Sequence, residues 1–313
     1  MKYRPLDVAA LRTYSLKDRE SIVSLAHWGT PHRRGASLRD FAGSLPDFLA
    51  ARDLKTVVQA VPAARKAGRP VVLGMGAHPI KVGLSRVIID LMRRGIITAL
   101  ATNGAALVHD FEIALVGKTS EDVASELPTG DFGMARETGQ ILNTAISQGV
   151  QRGLGMGQAV GEYIHASSLP YREESLFREA FRSEIPATVH VAVGSDIIHM
   201  HPEADGASIG EGSMRDFRLF SSVIADLDGG VYINLGSAVI MPEVFMKALS
   251  VARNLGHRVQ EFTTVNMDFI QHYRPRENVL RRPTLGKGQA FAITGHHEIM
   301  FPLLAALVIE GMD

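Results

Sequence analysis

Ala99-Leu-Ala-Thr-Asn-Gly-Ala-Ala-Leu-Val-His-Asp110 passes from apolar residues to small and polar ones and then to apolar ones again. Its first part continues Ile96–Ala101, a short apolar run that reads as a strand buried on both faces. Asn103–Ala106 reads as a turn, and Val108–Leu115 as the start of a helix. Such a strand–turn–helix step is the unit of an open α/β sheet, whose ligands gather at the carboxyl ends of the strands. Small residues beside Thr102 and Asn103 let a cofactor press against the backbone. His109 followed by Asp110 can present an oriented imidazole for acid–base work. The plainer alternative makes Asp110 a favourable charge at a helix N-terminus and His109 a hydrogen-bonded core residue.

Outward from this stretch the same step repeats. Leu54–Lys66 places Val57, Val58, Val61 and Ala64 on one helical face, and Gly68 and Pro70 stop it. Pro70–Met75 reads as a buried strand, and Gly83–Arg94 as a helix striped by Leu84, Val87, Ile88 and Leu91. Ala187–Val193 and Gly230–Leu235 are further β-rich runs. Pro242–Leu255 reads as a helix, Arg258–Val265 and Gln289–Thr294 as strands, and Phe301–Ile309 as a closing helix. The alternation predicts a three-layer, Rossmann-like α/β fold, a mostly parallel sheet with helices on both faces. Residues 1–50 read as a polar, irregular N-terminal arm holding Trp28, the only tryptophan. Residues 51–313 read as one α/β nucleotide-binding domain.

Composition narrows the function classes. Basic and acidic residues balance at 33 each, so no global field favours nucleic acid or an anionic membrane. The absence of cysteine excludes disulfides, thiolate zinc sites and a cysteine nucleophile. The first twenty residues are polar and charged, and the longest apolar run falls far short of the ~20 residues of a membrane span. The expectation is a cytoplasmic protein acting on a small molecule.

Four further segments carry candidate chemistry. Gly74-Met-Gly-Ala-His-Pro-Ile-Lys-Val-Gly83 lies between a strand and a helix, where glycines let backbone N–H groups meet a phosphate; a ligand-free tight turn is the alternative. Gly194–Asp205 holds Asp196, His199, His201, Glu203 and Asp205, which suit an N/O metal set or a hydrogen-bonding loop lining the site. Gly153-Leu-Gly-Met-Gly-Gln-Ala-Val-Gly161 looks like a dinucleotide fingerprint but has no strand before it, so close helix packing is the better reading. Thr284-Leu-Gly-Lys-Gly288 presents Lys287, either an exposed loop lysine or an amine able to form an imine with a carbonyl.

Taken in order, Leu73–Leu115, Ile185-Pro186, Leu235-Gly236, Val265-Asn266, Thr284-Leu-Gly-Lys287 and Phe301-Pro-Leu-Leu304 resemble deoxyhypusine synthase. That family uses NAD to oxidise spermidine and passes an aminobutyl group through a lysine imine. The resemblance implies a homotetramer and an NAD site built from Gly74, Gly76, His78, Lys81, Thr102, Asn103, Gly104, Ala105, Asp196, Asn266 and His296. It implies Lys287 as the imine lysine, acting with His109 and Asp110, and a substrate pocket including His199, Glu243, Arg274 and Arg282.

Several positions depart from the family pattern. The family's paired glutamates stand here as Val108 and His109, its polyamine-binding tryptophan as Leu285, and its catalytic histidine falls near Pro242-Glu243. Its acidic amine-holding loop becomes Gln271–Asn278, followed by Arg281 and Arg282. Arginines repel a polyamine and prefer carboxylates or phosphates. The expectation is therefore an NAD-dependent enzyme with an altered, non-polyamine and anionic substrate. The alternatives are a metal-dependent hydrolase or lyase using Asp196, His199 and His201 with His296-His297-Glu298, and a catalytically silent nucleotide-binding protein.

Overall fold

Six strands lie parallel in the order β3-β2-β1-β4-β5-β6. They are β1 (Val71–Met75), β2 (Ala99–Asn103), β3 (Ala187–His190), β4 (Val231–Leu235), β5 (Thr263–Asp268) and β6 (Gln289–Thr294). A computed structural model describes residues 1–312 of the chain. The helices are α1 (Leu38–Ser44), α2 (Leu49–Lys66), α3 (His78–Lys81), α4 (Ser85–Arg93), α5 (Gly104–Val116), α6 (Val123–Glu126) and α7 (Arg136–Gln151). After them come α8 (Met156–Ala166), α9 (Leu176–Arg182), α10 (Gly206–Ala225), α11 (Ile240–Asn254), α12 (Tyr273–Pro275) and α13 (His297–Glu310). A wider π-type turn, Arg276–Arg281, prolongs α12.

The apolar pattern of the strands explains the layers. Val71, Leu73 and Met75 point to one face, with Leu100, Ile233 and Val265, and join a core under α2, α4, α5 and α13. Val72, Ala99, Ala101 and Tyr232 point to the other face and pack on Phe220, Phe245 and Leu249 of α10 and α11. Side chains alternate along a strand, so strands apolar at every position need cover on both faces. The predicted three-layer, parallel α/β fold is what forms.

Element ends move from their sequence-predicted places for local reasons. Asn103 Oδ1 accepts the Ala106 N–H at 3.1 Å, so the helix begins at Gly104 and the expected turn is its first coil. The strand expected over Ile96–Ala101 starts at Ala99, because Thr98 ties back to β1: its N–H donates to the Val71 carbonyl, and the Val71 N–H donates to its Oγ1, both at 2.9 Å. The strand expected over Arg258–Val265 runs instead over Thr263–Asp268. Residues 1–48 are irregular apart from α1 and two short 3₁₀ turns, and none is buried. No described helix is long and apolar enough to cross a membrane.

The chain winds outward from β1 to β3, returns beside β1 as β4, and winds outward the other way. The reversal between β1 and β4 opens a crevice above their carboxyl ends, the place where such sheets bind ligands.

Candidate functional site

The crevice is built by two glycines. A Cβ on Gly76 would lie 2.7 Å from the Gly236 carbonyl oxygen, so β1 and β4 leave the sheet almost touching. Gly236 adopts a left-handed conformation, φ 61°, which glycine reaches without a Cβ penalty. Two residues back, Asn234 Nδ2 donates to Asn266 Oδ1 at 2.7 Å and to the Ser237 carbonyl at 2.9 Å. Asn266 Nδ2 donates onward to Gln271 Oε1 at 2.7 Å. Asn234 Oδ1 is buried and has no partner.

His297 closes the crevice. Its side chain is 1% exposed, and Nε2 lies 3.6 Å from Asp268 Oδ1. Neither ring nitrogen makes a hydrogen bond. Burial pushes its pKa below the ordinary histidine value, against the pull of Asp268, so the ring is neutral near pH 7. A Cβ on Gly236 would come within 2.7 Å of His297 Cε1. His78 lies 5.1 Å from His297 between ring centroids, and Phe269 stacks on His296 at 6.2 Å with 10° between planes.

Beside the crevice, above the ends of β1 to β3, lies a cavity of about 220 Å³. Lys81, Ala105, His109, Glu112, Glu121 and Asp196 line it together with apolar Val108, Phe132 and Ile197. The Asp196 carboxylate sits over Gly104, where a Cβ would lie 2.3 Å from Oδ2. Burial raises its pKa, and its Oδ2 has no hydrogen-bond partner. A carboxylate already at this helix N-terminus leaves α5 suited to a hydroxyl donor rather than to a phosphate. His109 Nδ1 lies 2.6 Å from Thr119 Oγ1, which donates to Glu112 Oε2 at 2.5 Å.

Other sequence-predicted residues go elsewhere. Asp110 is 1% exposed and accepts from Ser175 Oγ at 2.5 Å and Leu176 N at 2.7 Å. It anchors the start of α9, and burial pushes its pKa to about 6 against those bonds; it does not pair with His109. Lys287 is exposed and pairs with Glu261 at 3.0 Å. It precedes Gln289, which lies opposite Thr263 at the amino edge of the sheet. Six residues of strand, about 20 Å, separate it from the carboxyl edge of the same sheet. Gly74 makes room for Tyr232, whose hydroxyl would lie 2.2 Å from a Cβ there. The Thr102 hydroxyl is buried toward the Thr188 carbonyl at 3.4 Å, and Asn103 is spent as the α5 cap.

The arginine cluster is partly paired. Glu243 lies 3.5 Å from Arg274 and accepts from Asn278 at 2.7 Å and from Lys247. Glu277 pairs with Arg281 at 2.6 Å and with Arg282 at 3.5 Å. These bonds tie α11 to α12 and the π-type turn, while exposed Arg276 makes no ion pair among the described residues. The metal trio does not converge: His201 Nε2 turns to the Gly133 carbonyl at 2.8 Å, while His199 Nδ1 accepts the Gly194 N–H at 3.3 Å. Among the described residues no three metal-ligating side chains meet.

Asn234, Asp268, Glu112 and Thr119 carried no expectation from sequence. Asp268 was hidden by ending β5 at Val265, three residues early. Thr119 follows the helix-stopping Gly117, φ 70°, and only the folded loop returns it to His109.

No family model matches the chain, and no curated protein matches its sequence. Solved structures share its fold. A protein assigned as a deoxyhypusine synthase from Entamoeba histolytica aligns at 14% identity and TM-score 0.53, covering 91% of this chain and 97% of that one. A conserved LOR/SDH-type protein from Methanococcus maripaludis S2 aligns at 15% identity and TM-score 0.52, covering 89% and 71%. AgrE, in a ternary complex with ornithine and NAD+, aligns at 19% identity and TM-score 0.51, covering 83% of this chain but 33% of that one. The chain spans about a third of the length of AgrE and of the cyanobacterial arginine dihydrolase ArgZ. At these identities the likeness establishes the fold.

Proposed function

We propose that the protein binds a nicotinamide dinucleotide across the carboxyl edge of its sheet and serves hydride transfer on a small molecule. The observation that carries this reading is the β1/β4 crevice, where Gly76 and Gly236 expose backbone and buried Asn234 Oδ1 and both His297 nitrogens have no partner. Buried polar atoms left unpaired in a protein of this size call for a ligand or water that satisfies them. The NAD+ in the AgrE complex supports the choice of cofactor within this fold.

Gly76, His78, Asn266, His296 and His297 would hold the dinucleotide on the crevice side, and Ala105 and Asp196 on the α5 side. A carboxylate such as Asp196 suits a ribose hydroxyl. The nicotinamide, when bound, supplies the hydride acceptor or donor. His109 moves the accompanying proton, and the apolar lining of the cavity limits water. Lys287 and Asp110 take no part in this reading, and Arg274 and Arg282 are drawn toward Glu243 and Glu277.

Calorimetric titration with NAD+ tests the reading. Saturable binding weakened by His297→Ala and Asn266→Ala is expected; no binding at millimolar NAD+ overturns it. Light scattering of the same sample tests the homotetramer implied by the family resemblance.

A further inference from the structure

The cavity beside the crevice holds a chain of three side chains with an unambiguous proton order. Thr119 Oγ1 lies 2.5 Å from Glu112 Oε2 and 2.6 Å from His109 Nδ1. The hydroxyl has one proton, and an ionised carboxylate only accepts. Glu112 stays ionised: against the upward push of burial, the bonds from Thr119 and Thr138 and the nearby His109 ring, 3.8 Å away, hold its pKa below the usual carboxylate value. Thr119 therefore donates to Glu112 and accepts from His109, which places the ring proton on Nδ1. Nε2 is left with its lone pair on a ring that is 18% exposed and lines the cavity.

The remaining polar groups of the cavity separate into committed and free. Glu112 also accepts from Thr138 at 3.0 Å, and Glu121 accepts the Gly133 N–H at 3.0 Å. Asp196 sits over Gly104 with its buried Oδ2 unpartnered, the oxygen assigned above to a ribose hydroxyl. Lys81, exposed on the same wall, makes no hydrogen bond or ion pair among the described residues. A lone ammonium holds an oxygen and repels a substrate ammonium. The cavity, about 220 Å³, has room for a small molecule.

We propose that Glu112, Thr119 and His109 form a proton relay and that the cavity takes a small alcohol, or the corresponding carbonyl compound, as substrate. The proposal rests on the dinucleotide reading above. In the oxidising direction the substrate O–H bond breaks and its proton goes to His109 Nε2. The adjacent C–H bond breaks with its electron pair leaving as hydride to the nicotinamide, and the carbonyl double bond forms. Lys81 holds the oxygen as its charge develops. Glu112, acting through Thr119, stabilises the imidazolium; it and Thr119 are positioning residues, and His109 is the catalytic one.

Nitrogen-15 NMR of the full-length protein labelled at histidine, without cofactor, reads the relay directly, with His109→Gln assigning the resonance. Expected are a protonated Nδ1 and a bare Nε2 at pH 8, loss of that tautomer in Thr119→Val, and its retention in Thr119→Ser. A wild-type Nε2–H tautomer, or an unchanged tautomer in Thr119→Val, overturns the relay. A panel of small alcohols with NAD+, followed by NADH absorbance, reads the substrate class. His109→Gln is expected to lose about 100-fold or more in rate with NAD+ affinity unchanged. NAD+ binding without turnover of any alcohol, or turnover indifferent to His109→Gln, overturns the substrate assignment. Failure of NAD+ to bind defeats the cofactor reading and with it the hydride step, while the tautomer result stands by itself.

Discussion

A Cβ on Gly155 would lie 1.8 Å from Asp216 Oδ1. The Asp216 carboxylate fills the start of α8, accepting from Gly157 N at 3.0 Å and Val189 N at 2.8 Å. The glycine-rich run Gly153–Gly161 thus makes room for a carboxylate and for close packing, since a Cβ on Gly157 would lie 2.1 Å from the Ala187 carbonyl. Gly155→Ala should lower stability by about 1–3 kcal/mol, as overpacking does, with little effect on NAD+ affinity. Urea unfolding and calorimetry check both outcomes.

Asp216 also makes stability depend on pH. Burial raises its pKa to about 7 against its three backbone bonds, above about 3.9 in the unfolded chain. The folded state then binds the extra proton between those values. The contribution is fully present below about pH 4 and is lost as pH rises through about 7. Asp110, at about 6, acts in the same direction. The urea midpoint should fall between about pH 6.5 and pH 8, and Asp216→Asn should flatten that fall. Below about pH 6.5 His190, pushed down to about 3 by burial, and His297, also lowered by burial, act in the opposite sense because the unfolded chain binds the extra protons there. Glu179, held at about 2 by Arg182 and Arg93 against burial, acts below about pH 4.5.

Lys287→Ala should leave NAD+ affinity within about twofold. It should leave the urea midpoint almost unchanged, because the Lys287–Glu261 pair is exposed. Calorimetry that shows binding abolished would contradict the placement of the site at the carboxyl edge alone.

Gly76→Ala acts on the site itself. The new Cβ meets backbone, the Gly236 carbonyl at 2.7 Å, which has no rotamer in which to yield. The crevice must open, and NAD+ affinity should fall at least about tenfold, or about 1.4 kcal/mol. The same variant should unfold at lower urea. Wild-type affinity in a folded Gly76→Ala protein would remove the crevice from the binding site.

The site was partly legible before folding. Gly76, His78, Lys81, Ala105, His109 and Asp196 follow the carboxyl ends of β1, β2 and β3, Asn266 lies within β5, and all of them border the crevice or the adjoining cavity. A spacing motif does not say which edge of the sheet a loop occupies, so the amino-edge position of Lys287 and the pairing of Arg274, Arg281 and Arg282 could not be read from it. Nor does the sequence show that Asp110 meets the start of α9, 65 residues away.

The sequence alone determined the parallel α/β architecture, because uniformly apolar strands between amphipathic helices have few other ways to bury themselves. It also determined that the turn after Ala99-Leu-Ala-Thr belongs to the carboxyl edge. Only the tertiary structure decided which polar side chains are used up by the fold and which remain free. Asp110, Asp216 Oδ2 and Glu243 are committed to partners far away in the chain, while Asn234 Oδ1, Asp196 Oδ2 and both His297 nitrogens are buried without one. Hydrogen-bond satisfaction is a property of three-dimensional neighbours, and sequence spacing carries no record of neighbours that only folding brings together.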